Sequence, residues 1–221
     1  MAALGILVLG QTPRPDLEAI YTSYAPAARL VVAGALDGIP TGEIDALADA
    51  GGDYPLFVIL ADGTTREISL YRLLPFLEQR ATQLAAAGAK TSVLMCAGDF
   101  PDLQSPVPII YPGRVVPAVV SGISRSRNIG IITPNAGQAG PARQHWQQKG
   151  FTVLVAVASP KNHHELDRAA ETFKDQDLDL VVLDCMGFGP ESARLFRQTC
   201  PVPVVCAQSL VARVTAELMG L

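Results

Sequence analysis

The chain repeats its own plan. NIGIITPNAGQAGP, beginning at Asn128, follows the pattern of ALGILVLGQTPRP, beginning at Ala3: a Gly-Ile strand, then a turn containing proline. SPVPIIYPGRVVPAVVSG from Ser105 has a counterpart in CPVPVVCAQSLVARVTAE from Cys200, a Pro-flanked strand that enters an Ala/Val-rich helix. Two halves that open and close alike restrict the chain to folds built from two similar units. Within each half, short β-branched runs alternate with longer segments of helical period. Strands are expected over 5–9, 30–33, 56–60, 92–95, 107–110, 128–132, 152–157, 180–184 and 202–206. The clearest helices are expected over 68–87, 142–149, 164–176, 190–198 and 209–219. Several strands are apolar throughout, as parallel strands covered by helices on both faces must be. The class expected is α/β with parallel sheet. An N-terminal lobe over 1–115 is rejoined by the C-terminal helix 207–221, and a C-terminal lobe covers 116–206, with the crossover near Tyr111 to Ser126.

Composition narrows the partners. With 221 residues, 49% of them apolar and 17% charged, the chain can bury a substantial core. A net charge of −4 and 17 Lys plus Arg leave no basic stripe, so nucleic acid and anionic membrane are poor partners. MAALGILVLG has no basic flank and is shorter than a membrane span, so it reads as a first strand. Four cysteines without a secretory pattern are expected to be reduced thiols of a cytoplasmic protein.

Two of those cysteines carry the chemical argument. SVLMCAGDFP (92–101) and VVLDCMGFGP (181–190) both run apolar to a cysteine and then break at glycine and proline. A single cysteine so placed reads first as a small buried hydrophobe. Two at equivalent positions in two similar halves ask for more. In open α/β sheets, ligands bind outside the carboxyl ends of the strands, where helix N-termini present unpaired N–H groups. If the lobes face one another across a cleft, Cys96 and Cys185 stand on opposite sides of the bound molecule. One thiolate could then take a proton from one face of a carbon while the other thiol delivers one to the opposite face. A thiol ionises near pH 8.5 in isolation, and a helix N-terminus can lower that value. Gly98 and Gly187 allow backbone N–H groups close to a ligand carboxylate, whose charge grows as the proton leaves. This chemistry needs no metal.

GQTPR at Gly10 to Arg14, CAGDFP at Cys96 to Pro101, GQAGPARQHW at Gly137 to Trp146 and LDCMGF at Leu183 to Phe188 together resemble the AroM family, itself similar to the aspartate/glutamate (hydantoin) racemase superfamily. The resemblance spans essentially the whole chain. It implies two Rossmann-like lobes related by a pseudo-twofold, with a cysteine from each lobe in a central cleft, acting without pyridoxal phosphate. It supplies no substrate. Racemases of the superfamily commonly follow the first cysteine with Asn-Thr and the second with Thr-His; here Ala97 and Gly98 follow Cys96, and Met186 and Gly187 follow Cys185. The polar contacts must then come from elsewhere, and Gln11, Thr12, Arg14, Thr65 and Arg66 are the candidates. Arg14 or Arg66 could clamp a carboxylate with two parallel hydrogen bonds, although a solvated surface role is as good a reading of each.

The remaining polar groups are weaker candidates. Asp99 could orient Cys96 or could cap the turn that follows it. Asp184 belongs to a strand beside Cys185, so alternation turns it to the other face and leaves it outside the catalytic set. Cys200 and Cys206 read as packing residues, and His163 and His164 as exposed or capping residues, since neighbours do not converge on a metal as an i, i+4 pair does. The expected function is a cofactor-free two-cysteine racemase or epimerase acting beside a carboxylate or carbonyl of a small molecule. The alternatives are a single-cysteine cis-trans isomerase or decarboxylase of a small dicarboxylate, and a carboxylate-binding protein without turnover. A small carboxylate-bearing substrate is the partner implied, and a homodimer is an allowed assembly.

Overall fold

In the computed structural model, which describes residues 3–220, the echo between halves becomes a repeat of topology. The first half runs β1 (Ala3–Val8), α1 (Pro15–Tyr24), β2 (Arg29–Gly34), α2 (Thr41–Asp49), β3 (Pro55–Ile59), β4 (Thr65–Ser69), α3 (Leu70–Ala86), β5 (Ala89–Leu94) and β6 (Ile109–Ile110). The second runs α4 (Pro112–Ile123), β7 (Asn128–Thr133), α5 (Ala139–Gln148), β8 (Thr152–Val157), α6 (His163–Phe173), β9 (Leu180–Leu183), α7 (Pro190–Thr199), β10 (Val204–Cys206) and α8 (Ala207–Met219). One parallel sheet has the order β2-β1-β5-β6 and the other β8-β7-β9-β10. Counted within each half, both orders read second, first, third, fourth. The class is therefore α/β with two parallel sheets of one plan.

The chain divides into two compact units. The described residues up to Cys96, with Phe100–Tyr111 and the chain from Thr215 on, form the first; Ala97–Asp99 and Pro112–Val214 form the second. The three residues after Cys96 thus pack with the second unit although the first flanks them on both sides.

In the first unit β1 and β5 lie at the centre of the sheet; β1 is buried along its whole length and β5 at its Ser92–Leu94 end. α3 presents Leu70, Leu73, Leu77, Ala81 and Leu84 to the core, a stripe at three- and four-residue spacing, while its other face is polar. The helix expected from residue 68 starts instead at Leu70, because Thr65–Ser69 pairs antiparallel with β3 from Thr65 opposite Ile59 to Ser69 opposite Pro55. The second unit repeats the device, with Leu166, Ala169, Ala170 and Phe173 of α6 and Ala193 and Phe196 of α7 packed into the core around β9. Gly130 on β7 is required there: a Cβ would lie 2.8 Å from a Val181 methyl and 2.9 Å from the Phe173 ring. Among the described residues no helix is long and apolar enough to cross a membrane.

Candidate active site

Cys96 stands two residues past the end of β5, and Cys185 two residues past the end of β9, which takes β5's place in the second sheet. Both residues are half-buried, and none of the four cysteines is in a disulfide.

In the first unit, β1 and β5 are neighbours with Leu7 opposite Leu94, and the Met95 N–H donates to the Leu7 carbonyl at 2.8 Å. The turn at Gly10 to Arg14 and the start of the Cys96 turn therefore leave the same sheet edge side by side. Gln11 is tied down at this edge: its Nε2 donates to the Leu36 and Ile39 carbonyls at 3.0 and 3.3 Å, and its Oε1 accepts the Ala61 N–H at 3.0 Å. Thr12 gives its N–H and its hydroxyl to the Asp37 carboxylate, at 2.7 and 3.1 Å, and Asp37 also accepts the Gly34 N–H at 2.7 Å. These bonds stitch the ends of β1, β2 and β3 into one rim. Gly10 makes the stitching feasible, since a Cβ there would come within 2.0 Å of the Ile59 carbonyl oxygen.

The two arginines are also engaged. Arg14 precedes the first turn of α1 and holds Asp16 in a fork, Nε to Oδ1 at 2.8 Å and Nη2 to Oδ2 at 2.6 Å. Arg66 pairs with Asp45 at 2.6 Å and donates to the Thr65 carbonyl at 2.9 Å, on a strand where Thr65 is exposed. Each could reach a substrate only by exchanging a partner it already has.

In the second unit the turn after β9 is held residue by residue. The Asp184 N–H continues the sheet to the Ile132 carbonyl at 2.9 Å, and the Phe188 N–H closes back on the Cys185 carbonyl at 3.1 Å. Gln208, buried at the start of α8, donates to the Met186 carbonyl at 2.8 Å, and the Cys206 thiol donates to the Phe188 carbonyl at 3.0 Å. Met186 and Phe188 are buried while Gly187 between them is exposed. The Gly187 N–H points at the Cys185 sulfur, 3.3 Å away, a contact that strengthens when the sulfur carries charge. Cys206 and Cys200 are buried, burial pushes both thiols up, and both serve the core as expected.

Asp184 lies one residue past the end of β9 at Leu183, although its N–H still continues the ladder. Its carboxyl accepts the indole N–H of Trp146 at 2.8 Å, and Trp146 is 1% exposed. Part of the residue reaches the surface, yet burial of the carboxyl raises its pKa to about 6, against the lowering effect of the indole bond.

Trp146 has His145 as its neighbour on α5, and His145 faces the other cysteine turn. Its Nδ1 lies 3.9 Å from Asp99 Oδ2, an electrostatic contact longer than a hydrogen bond, and its side chain is 11% exposed. It also hydrogen-bonds the backbone of Gly113, while Nε2 has no hydrogen-bond partner among the described residues. Desolvation lowers the His145 pKa and outweighs the raising effect of Asp99 and Gly113; Lys149 adds to the lowering. Gly113 itself abuts Gly98, whose carbonyl oxygen would lie 2.1 Å from a Cβ on Gly113. Asp99, Gly98, Gly113 and His145 thus form one cluster directly after Cys96 in the chain. Ala97 and Gly98 are half-buried and Asp99 is exposed.

His145, Trp146 and Gln208 are the site-supporting residues that sequence reasoning passed over. The one available signal was the HW dipeptide at the end of GQAGPARQHW, which contains the only tryptophan of the chain. His163 and His164 are exposed at the start of α6, where Asn162 caps the helix by accepting the Glu165 N–H. Among the described residues no group of three or more His, Cys, Asp or Glu is placed to hold a metal ion.

The two-sheet architecture is shared with solved structures of several named enzymes. The chain is similar to an allantoin racemase from Klebsiella pneumoniae, at a TM-score of 0.66 and 15% identity, over 100% of this chain and 88% of that one. A maleate isomerase from Pseudomonas putida superposes at 0.67 with 11% identity, over 100% and 93%. An arylmalonate decarboxylase superposes at 0.62 with 12% identity, over 98% and 91%. At such identities the likeness carries the architecture alone. The family described as AroM protein matches residues 4–219, and the chain belongs to that family. No curated protein matches the sequence.

Proposed function

We propose that this protein is a cofactor-independent racemase or epimerase that uses Cys96 and Cys185 as paired proton carriers at a carbon next to a carboxylate or carbonyl. The observation that carries the reading is the equivalence of the two cysteines: each lies two residues past the end of the corresponding strand in two sheets of the same order. Proteins similar in fold include an allantoin racemase and a glutamate racemase, whose named chemistry such a pair would serve, and a maleate isomerase, which fits the single-thiol alternative. In each turnover one sulfur, as thiolate, takes the proton bound to the substrate carbon, and the electron pair left behind delocalises into the adjacent carbonyl. The other sulfur, as thiol, then returns a proton to the opposite face and becomes the thiolate. The reading requires the two sulfurs to reach opposite faces of one carbon. Backbone N–H groups of the Ala97–Asp99 and Met186–Gly187 turns, together with Gln11, Thr12 or Arg14, are the donors proposed for the substrate's developing charge, each of these side chains by exchanging a partner it already has.

The test is incubation of the protein in deuterium oxide with amino acids, hydantoins and small dicarboxylates, with detection of deuterium at carbon by mass spectrometry. Exchange with loss of optical purity supports the reading. Loss of carbon dioxide or a change of double-bond geometry without inversion would favour the single-thiol alternative. Binding without exchange on the whole panel would favour a carboxylate-binding protein.

A further inference from the structure

Asp184 and Asp99 lie in the two cysteine turns, Asp184 one residue before Cys185 and Asp99 three residues after Cys96. Both meet consecutive residues of a single helix. Trp146 donates its indole N–H to Asp184 at 2.8 Å, and His145 stands 3.9 Å from Asp99 while hydrogen-bonding the backbone of Gly113, which abuts Gly98. Consecutive residues on a helix point about 100° apart, so one dipeptide can face two different turns where an i, i+4 pair would face one. We propose that the pair His145–Trp146 is a positioning device that sets both thiols from α5, His145 acting on the Cys96 turn through Asp99 and Gly113, and Trp146 acting on the Cys185 turn through Asp184. This rests on the two-thiol reading for its purpose and on the contacts of α5 for its substance.

The device has an electrical side. A carboxylate one residue from a thiol opposes the thiolate, and the indole N–H draws part of that charge away. The titratable groups around the pair are Asp99 and Lys149 beside His145, with Asp184 and its chain neighbour Cys185 on the other side. The Asp184 carboxyl ionises at about pH 6, so the indole bond has a neutral acceptor below that pH and a charged one above it. Trp146 is the only tryptophan in the chain, so its emission reports that change without a label.

The experiment uses the full chain without substrate. Intrinsic fluorescence is titrated from pH 4.5 to 8, and alkylation of each thiol by iodoacetamide is followed peptide by peptide across the same range. The expected wild-type emission has an inflection near pH 6, absent in Asp184→Asn, whose amide oxygen still accepts the indole N–H. Asp184→Asn should alkylate Cys185 roughly threefold to tenfold faster at pH 7.5, because loss of the neighbouring negative charge favours the thiolate, and leave Cys96 unaltered. His145→Gln should change the alkylation rate of Cys96 and leave Cys185 unaltered, because His145 meets only the turn after Cys96. Trp146→Phe, which keeps a ring but loses the donor, should move the inflection in the Cys185 rate profile to higher pH. An emission that is flat through pH 6 in wild type, or rate changes shared equally by both thiols in the Asp184 and His145 variants, would overturn the proposal. Because no substrate is involved, these outcomes stand apart from any failure to find racemisation.

Discussion

Cys96 and Cys185 occupy one topological position twice: each follows by two residues the strand that comes third along the chain in its parallel sheet and hydrogen-bonds to the first strand of that sheet. The supports around them are not duplicated. The Cys185 turn is pinned by Trp146, Gln208 and Cys206, whereas the residues after Cys96 are braced by His145 and Gly113. The two turns are thus alike in backbone placement and different in the side chains that hold them.

Asp184 should limit stability at neutral pH. Its folded pKa of about 6 stands above the ordinary 3.8, so the folded state holds the proton more tightly than the unfolded chain does. Its contribution is fully favourable below about pH 4 and is lost as the pH rises through 6. Asp184→Asn should therefore be more stable than wild type at pH 7.5, by on the order of 2 kcal/mol, with the difference closing below pH 4. Thermal melts of both proteins across this range check the sign.

Asp179 should behave in the opposite sense. Its Oδ2 accepts the Ser124 hydroxyl and the N–H groups of Arg125, Ser126 and Arg127, closing the chain between α4 and β7. The Ser124 hydroxyl and these N–H groups hold its pKa below 3.8 against a smaller effect of desolvation. The stability it confers is present above the unfolded pKa and is lost as the pH falls through the lower folded value. Asp179→Ala should melt below wild type at pH 7, and the two melting curves should converge as the pH is taken toward 3.

Legibility in the sequence followed the range of the forces involved. Several strands were readable because they are local apolar runs, and Thr152–Val157 matches its expected bounds residue for residue, whereas β5 opens on the polar stretch Lys90–Ser92 and starts at Ala89 rather than at the expected residue 92. β4 was not readable: TREIS is short, four of its five residues are polar, and it runs directly into a helix whose apolar stripe begins at once. The cysteine positions were readable because a strand end is local. The contact of Trp146 with Asp184 spans 38 residues, and no local pattern announces it. Gln11, Thr12, Arg14, Thr65 and Arg66 were legible as polar groups near a strand end; that the first three and Arg66 already have partners within the fold was not.

Gln11→Ala should show whether that residue is first a structural tie. The substitution leaves the Ala61 N–H and the Leu36 and Ile39 carbonyls without their side-chain partner, at a cost of about 1–3 kcal/mol. A melting temperature unchanged from wild type would mean that the ties are dispensable and that Gln11 is available to a ligand.

Gly130→Ala tests the packing of the repeated sheet. With Phe173 and Val181 atoms at 2.9 and 2.8 Å from the new Cβ, neither side can yield without moving the sheet or α6, and a loss of about 1–3 kcal/mol is expected in chemical denaturation.

The two-thiol account is tested most directly by the stereochemistry of the cysteine variants. On whichever carboxylate or hydantoin the wild type exchanges, Cys96→Ser and Cys185→Ser should each abolish racemisation, because a serine hydroxyl is too weak an acid to replace a thiol in either role. Each should retain deuterium exchange from a single antipode, and the two should prefer opposite antipodes. If one variant lost all exchange while the other kept wild-type racemisation, the two-thiol account would be contradicted and the sensitive cysteine would be the sole reactive thiol.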